Sequence, residues 1–317
     1  MNGLTLKHLR YFEALAHHGH FGRAAEACAI SQPALSLQIK ELEGLLGAPL
    51  VERAARQIRL TGLGESFLAR ARKILLEVDE LDDLVRASTG PLSGRMRLGV
   101  IPTVAPYLLP DIIKALSARF PDLALQPRET ITRSLIEALL NAELDAAIVA
   151  LPISEPRLRE FTLFEEEFVL VRPTADAANP VPSPEMLETM QLLLLEEGHC
   201  FRDQALSFCS SAAAQPRQLM EGSSLSTLVQ MVGAGMGLTL IPHMAIGLET
   251  RSASVSVARF PPPAPRRSIG MVWRKTSPLA DQLLEISAIV RKTGRRRRDA
   301  LDAAAELGSM KPVHGEP

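Results

Sequence analysis

Two cysteines in one short segment are the residues best suited to carry out chemistry in this sequence. Cys200 and Cys209 lie nine residues apart, and the 317-residue chain contains one further cysteine, Cys28. If the segment is a helix, the two thiols lie on opposite faces, roughly 13–14 Å apart along the axis. A disulfide requires Cα atoms within about 7 Å of each other. The pair can bridge only if the helix unwinds, as in a conformational switch.

The remaining composition favours a cytoplasmic protein. The N-terminal residues lack the pattern of a signal peptide, and no apolar run approaches the roughly 20 residues that a membrane helix needs. We therefore expect no membrane association, and no sequence pattern indicates a cofactor or a metal site. In the cytosol, disulfides are rare and mostly transient, catalytic or redox-sensing. We expect the third cysteine, Cys28, to be a buried packing residue.

The first 60 residues have the pattern of a winged helix-turn-helix DNA-binding domain. Ser31 is a suitable N-cap for a third helix, whose first residues would meet base edges in the major groove. Glutamine and serine hydrogen-bond to bases, whereas lysine and arginine bind phosphates. The residues predicted to contact DNA are Gln32, Pro33, Ser36, Gln38, Lys40 and, in the wing, Arg53. A protein-interaction module is the alternative for the domain, and a solvated helix face is the alternative for the glutamines.

A long linker helix is predicted at residues 61–88. Apolar residues recur there at spacings of four and three, at Phe67, Ala71, Ile74, Val78, Leu81 and Val85. A heptad seam of this kind indicates a dimerisation helix. The alternative is a helix that packs on its own domain. Residues 89–94 are rich in glycine, proline and serine, and we interpret them as a hinge.

After the hinge, strand and helix patterns alternate, which is typical of an α/β domain with a parallel sheet. We expect two lobes joined by crossover strands near residues 165–168 and 266–270. Lobe I would comprise residues 95–165 and 269–293, and lobe II, with both cysteines of the pair, residues 166–268. The basic tail at 294–317 is expected to be disordered.

Several stretches resemble the LysR-type transcriptional regulators. They lie at residues 21–43, 45–47, 50–53 and 60–64. The resemblance extends to about residue 292. It implies a winged helix-turn-helix, a linker-helix dimer and a two-lobed effector domain like the periplasmic binding proteins, usually assembled as a tetramer.

Within that family, the stretch at 198–205, together with Cys209, resembles the hydrogen-peroxide sensors, as do 101–110, 223–228 and 265–270. The resemblance implies that Cys200 is the peroxidatic cysteine and Cys209 the resolving one. The residue types suit this chemistry, because a thiol pKa falls near a helix N-terminus or beside His⁺ and Arg. Glu196 and Glu197 act against it. The product is a sulfenic acid, which a second thiol converts to a disulfide.

The same resemblance implies a peroxide pocket. Thr103 is the first candidate for holding peroxide, and helix capping is its alternative role. Arg267, preferred over Arg266, would steady a negative intermediate. The other candidates around the pocket are Thr132, His199, Arg202 and Asp203. A surface ion pair is the alternative for Arg202 with Asp203.

The expected function is therefore a peroxide-sensing activator of oxidative-stress genes, not an enzyme. A reversible disulfide between Cys200 and Cys209 would change the arrangement of a homotetramer on DNA. The expected partners are promoter DNA, hydrogen peroxide, further copies of the chain, RNA polymerase, and glutaredoxin or glutathione. Two alternatives stay open. One is a LysR-type regulator that binds a small carboxylate in the effector cleft, where Thr103 and Ser223 with Ser224 at helix starts suit an anion. The other is a thiol peroxidase.

Overall fold

The computed structural model describes residues 3–53, 58–88, 92–187, 189–209 and 219–309. The chain divides into two compact units, residues 1–88 and 89–317. None of the described helices is both long enough and apolar enough to cross a membrane.

The first unit is a helical domain with a small wing. Its helices are α1 (Leu6–His18), α2 (Phe21–Ala27), α3 (Gln32–Leu46) and α4 (Gly62–Ser88), and its strands are β1 (Val51–Arg53) and β2 (Ile58–Leu60). As predicted, Ser31 caps α3 by accepting a hydrogen bond from the Ala34 amide. The buried core is formed by Phe12, Leu15, Leu35, Ile39 and Leu42. Cys28 corrects one expectation, because it ends α2 and is only half-buried.

The apolar seam of α4 divides into two parts. Near its start, Phe67 packs edge-on against Phe12, and Ala71 is buried together with Leu9. Further along, Leu81 and Val85 are 60% and 61% exposed. The first part therefore packs on its own domain, and the second part presents apolar side chains to solvent.

The second unit is built on one mixed sheet. Its strands are β3 (Gly94–Val100), β4 (Leu123–Glu129), β5 (Ala146–Leu151), β6 (Leu158–Pro173), β7 (Leu192–Leu195), β8 (Leu219–Gly222), β9 (Leu238–Pro242), β10 (Val255–Arg259) and β11 (Arg266–Arg274). Its helices are α5 (Ala105–Arg119), α6 (Thr132–Leu140), α7 (Pro184–Leu187), α8 (Cys200–Cys209), α9 (Leu225–Gly233), α10 (Ile246–Glu249) and α11 (Ala280–Ser309). Of the proposed hinge, residues 89–91 lie outside the described residues, and Gly94 already belongs to β3.

Strand β6 connects the two halves of this sheet. The strand order is β4-β3-β5-β11-β6-β9-β7-β8, and β10 also pairs with β6. From residue 158 to 167, β6 pairs with β11, and from 168 to 171 it pairs with β9. The neighbours of β3 and of β7 are parallel to them, whereas β6 and β11 run antiparallel to their partners. The loops that hold the candidate site residues follow the carboxyl ends of the parallel strands.

The expectation of a disordered tail from residue 294 is wrong for residues 294–309, because α11 continues to Ser309. We call residues 294–309 the strap; residues 310–317 lie outside the described part. Arginine, alanine, leucine and glutamate are strong helix formers, so a basic composition does not end a helix. The strap also makes contacts of its own, since Arg297 pairs with Asp111 of α5 at 3.2 Å and Leu301 lies next to Gly247.

Candidate redox site and nucleic-acid interface

The segment that carries the cysteine pair is helical, as predicted. Helix α8 begins at Cys200 and ends at Cys209. The Cys200 side chain is half-buried and its thiol is free, whereas the Cys209 side chain lies outside the described part. Ten residues of helix separate the ends by roughly 13–14 Å. In this state the two backbones are too far apart for a disulfide.

The sequence before α8 fixes the position of Cys200. All four leucines of β7 are buried, so the strand anchors the segment in the sheet. Gly198 follows with φ +99°, in the left-handed region that favours glycine, and a β-carbon there would lie 3.1 Å from Ile131. Phe201 is 2% exposed and packs edge-on against Phe168 with ring centroids 4.9 Å apart. These contacts bury one side of α8 and leave Cys200 at its edge.

Cys200 lines a small recess where three loops meet. Its walls are Ile101, Pro102, Thr103, Ile131, Thr132, His199, Cys200 and Phe201. The structure thus brings together four of the predicted site residues: Thr103, Thr132, His199 and Cys200. The Thr132 Oγ1 atom is buried and has no hydrogen-bond partner within the described residues. Buried hydroxyls are normally bonded, so an unpaired one suits a small polar ligand.

Arg267 reaches the wall of this recess. Its Nη1 donates to the Thr103 hydroxyl at 2.8 Å, and its Nη2 donates to the Thr103 carbonyl at 3.0 Å. The guanidinium carbon lies 5.3 Å from the centroid of the Phe201 ring. Arg266, by contrast, is exposed and pairs with Glu165. Thr103 does not cap α5, because the residue at the N-cap is Val104 and no side chain makes the capping bond.

The surroundings of His199 favour its neutral form. Burial lowers its pKa from the ordinary value of 6.5, and the charge of Glu196 opposes this only partly. The lowered pKa therefore weakens the sequence argument that an imidazolium stands beside the Cys200 thiol. A neutral imidazole instead offers one hydrogen-bond donor and one acceptor to the recess.

The structure does not bring Arg202 to the recess, which corrects that expectation. Its Nη1 donates to the Leu195 carbonyl at 2.9 Å and to Glu221 at 2.6 Å, on the side of β7 and β8. It is not paired with Asp203 either. Asp203 is exposed and lines a neighbouring open cleft together with Thr132, Cys200 and Gln204.

Two polar residues, one beside Cys200 and one behind Arg267, were missed by the sequence reasoning. The Gln204 Oε1 atom is buried without a hydrogen-bond partner in the described part of the chain. Glu166 is buried and holds Arg267. A signal for Glu166 was present, because a run of three glutamates in one predicted crossover strand faces two arginines in the other. Among the described residues, no group of three or more His, Cys, Asp or Glu is arranged to hold a metal.

Helix α3 presents most of the predicted DNA contacts on one side. Gln32, Pro33 and Lys40 are exposed and Ser36 is half-exposed, on the side away from the buried core. Gln38 differs, because it is partly buried and its amide donates to Glu41 at 2.9 Å. Sequence reasoning overlooked Leu37, which is 64% exposed on the same side. Apolar side chains at such positions contact thymine methyl groups.

The wing is only partly described. Strands β1 and β2 pair antiparallel, with Arg53 opposite Ile58. The Arg53 side chain and residues 54–57 lie outside the described part. The predicted phosphate contact of Arg53 therefore stays a prediction.

Comparisons with known proteins agree with this architecture. Residues 6–65 match the bacterial regulatory helix-turn-helix protein of the lysR family, and residues 89–295 match the LysR substrate binding domain. A probable hydrogen peroxide-inducible genes activator of Streptomyces viridosporus is 42% identical over 296 residues, covering 92% of this chain and 95% of that protein. The DNA-binding transcriptional dual regulator OxyR of Escherichia coli is 39% identical over 292 residues, covering 91% and 95%.

Solved structures give the same result. A full-length OxyR from Pseudomonas aeruginosa, in a cysteine-to-aspartate variant, superimposes with a TM-score of 0.74 at 36% identity, covering 92% of this chain and 96% of that one. A cysteine-to-serine variant of Corynebacterium glutamicum OxyR with hydrogen peroxide bound gives a TM-score of 0.64 at 32% identity, covering 95% and 97%. The expected winged helix-turn-helix and two-lobed, periplasmic-binding-protein-like α/β effector domain are thus confirmed. The chain belongs to the LysR family of bacterial transcriptional regulators, among the OxyR-type hydrogen peroxide-inducible gene activators.

Proposed function

We propose that this protein senses hydrogen peroxide through Cys200 and Cys209 and converts the signal into a change of its binding to promoter DNA. One observation carries the proposal: the free Cys200 thiol begins a helix and lines a recess with two threonine hydroxyls. Peroxide is small and has both donors and acceptors, which match these hydroxyls. The recess is closed to a water-sized molecule in this packing, and Cys200 also lines the neighbouring open cleft, from which peroxide would reach the thiol.

The chemistry needs only peroxide and the two thiols. The Cys200 thiolate attacks one peroxide oxygen; the S–O bond forms while the O–O bond breaks, and the hydroxide that leaves takes up a proton to become water. Cys200 is thereby oxidised by two electrons to a sulfenic acid. The Cys209 thiolate then attacks the Cys200 sulfur, the S–S bond forms, and the remaining oxygen leaves as a second water.

The recess supplies groups for the first step. Negative charge develops on the departing oxygen, and preorganised donors that face it lower the barrier. The Thr103 hydroxyl is such a donor: its oxygen accepts from Arg267 Nη1 at 2.8 Å, which leaves its hydrogen for the departing oxygen. Thr132 and His199 complete the polar lining.

The second step requires α8 to unwind, because the intact helix holds its ends too far apart for a disulfide. A disulfide would therefore stabilise a second packing of lobe II. Changed contacts between effector domains would then alter the spacing of the helix-turn-helix pairs in a homotetramer, and with it the contact with RNA polymerase. The exposed Leu81 and Val85 support dimerisation through α4. A regulator of this kind acts in the cytoplasm, where glutaredoxin or glutathione reduces the disulfide again.

The test is a titration of the full-length reduced protein with one equivalent of hydrogen peroxide, followed by intact-mass and peptide mass spectrometry. We expect loss of the two thiol hydrogens and a peptide pair linked through Cys200 and Cys209. Both thiols remaining free, with operator binding that responds to a small carboxylate, would refute the proposal. Consumption of many peroxide equivalents with thioredoxin would instead indicate a peroxidase.

A further inference from the structure

We propose that Glu166 is a positioning residue for the oxidation of Cys200: its carboxylate sets the orientation of the Arg267 guanidinium at the recess. The inference rests on the proposed peroxide chemistry and adds to it a residue that does not touch the recess itself. It is drawn from the arrangement of one buried ion pair and the groups that surround it.

The guanidinium of Arg267 is fixed from two sides. Glu166 Oε2 accepts hydrogen bonds from Arg267 Nε at 3.0 Å and from Nη2 at 2.9 Å. The free edge of the guanidinium then places Nη1 at 2.8 Å from the Thr103 hydroxyl. Two charge-assisted bonds from one edge of the planar guanidinium to the same carboxylate oxygen restrict its direction as well as its distance. The side chains of Arg267 and Glu166 are 0% and 4% exposed, so water does not compete for these bonds.

Glu166 is itself anchored in lobe II. Its second oxygen, Oε1, accepts a hydrogen bond from the Met244 amide at 2.8 Å, in the 3-10 turn His243–Ala245 that follows β9. The carboxylate therefore uses both oxygens, one towards the lobe II backbone and one towards Arg267. A continuous path of hydrogen bonds runs from the turn through Glu166 and Arg267 to Thr103.

The neighbouring residues supply a natural control. Arg267 lies opposite Glu166 in the β6–β11 ladder, and side chains alternate between the faces of a strand. Glu165 and Arg266 therefore project to the other face, where they form an ion pair of 3.3 Å with side chains 58% and 55% exposed. This exposed pair has the same residue types on the same two strands but makes no contact with the recess.

The decisive experiment compares Glu166→Gln with Glu165→Gln in the full-length reduced protein. Two rates are measured for Cys200: oxidation by hydrogen peroxide, from quenched samples by mass spectrometry, and alkylation by iodoacetamide. Small displacements of a catalytic group can reduce a rate by up to about 100-fold, so we expect peroxide oxidation to slow by about 10-fold or more in Glu166→Gln. Alkylation should change by less than about twofold, because it requires no donor at Arg267.

Three outcomes would overturn the inference. The first is oxidation of Glu166→Gln at the wild-type rate. The second is a parallel loss of peroxide oxidation and alkylation in Glu166→Gln, as a merely structural change would cause. The third is an equal slowing of oxidation in Glu165→Gln. Glu166→Asp keeps the charge and shortens the side chain, so it serves if Glu166→Gln fails to fold, and it too should slow only peroxide oxidation. The proposed function fails separately, if wild-type protein forms no disulfide between Cys200 and Cys209.

Discussion

Cys200 is the first residue of α8 and Cys209 is its last. In the proposed cycle, the two thiols are thus held apart by the segment that must be remodelled before they can join. The free energy of unwinding α8 therefore opposes disulfide formation, because the disulfide can form only after the helix has unwound. A redox sensor built in this way responds to the stability of a helix as well as to the reactivity of a thiol.

Replacing the attacking thiol should separate sensing from DNA binding. We expect Cys200→Ser to abolish disulfide formation and the peroxide response, while operator binding by the reduced protein is retained, because α3 and the wing belong to the other unit. Gel-shift assays with and without peroxide measure both. Cys209→Ser should accumulate a sulfenic acid on Cys200 that dimedone traps, and Cys28→Ala should respond normally. Loss of operator binding in folded Cys200→Ser would contradict this separation.

Helix propensity in α8 should control the second chemical step. Ser207 is exposed, so its substitution changes the helix with little effect on packing. Alanine favours a helix by about 0.5 kcal/mol over serine, and glycine disfavours it by a similar amount. Conversion of the sulfenic acid to the disulfide should therefore be about twofold slower in Ser207→Ala and about twofold faster in Ser207→Gly. Rapid-quench mass spectrometry follows this step. Equal rates in both variants would show that unwinding does not limit it.

His199 should make the folded state less stable in mild acid. Burial lowers its pKa in the folded protein below the ordinary 6.5. The unfolded chain then binds a proton that the folded chain binds only at lower pH. The free energy of unfolding is therefore unaffected by His199 above about pH 6.5 and declines as the pH falls below that value. Urea unfolding at pH 7.5 and 5.5 measures the decline. In His199→Gln this part of the decline should disappear, leaving that of the remaining titratable groups.

The exposed end of α4 should be needed for assembly. Leu81 and Val85 are 60% and 61% exposed, which is unusual for apolar residues at seam positions unless a partner covers them. The double change Leu81→Glu and Val85→Glu should shift the protein towards the monomer in analytical ultracentrifugation and weaken operator binding. Met186→Glu is a single-site control, since it adds one glutamate at a 56% exposed apolar residue of the other unit. An unchanged oligomeric state in the double variant would exclude α4 as the dimer contact.

At Gly294 of the strap, packing and helix propensity have opposite effects on the free energy of unfolding. Alanine is favoured over glycine in a helix by about 1 kcal/mol, yet a β-carbon at Gly294 would overlap the Phe164 ring. We expect Gly294→Ala to lower the free energy of unfolding in urea and to expose the strap arginines to trypsin. At Gly247, which faces Leu301, a β-carbon would make an ordinary contact of 3.7 Å. Gly247→Ala should therefore be neutral or stabilising.

Local patterns in the sequence predicted the elements that depend on local signals. Ser31 with the apolar face of α3, the heptads of α4 and the helix at Cys200 follow from periodicity and capping. The direction of single side chains did not follow, because Arg202 turns to β7 and β8 through contacts with distant residues. Glu166 was missed because its partner Arg267 is 101 residues away in the chain. The strap did not follow either, because its run of four arginines is typical of a solvated tail even though arginine and alanine favour a helix.

The ring of Phe201 has a consequence for how often the site can act. This ring covers the Arg267 guanidinium, and Phe201 directly follows Cys200 in α8. In the proposed cycle, the unwinding that brings Cys200 to Cys209 also draws the ring away, so the product of the reaction dismantles the site that accelerated it. An enzyme must recover its geometry at every turnover. A site that loses its geometry after one oxidation instead reacts with a single peroxide molecule and stays oxidised until a reductant restores the thiols.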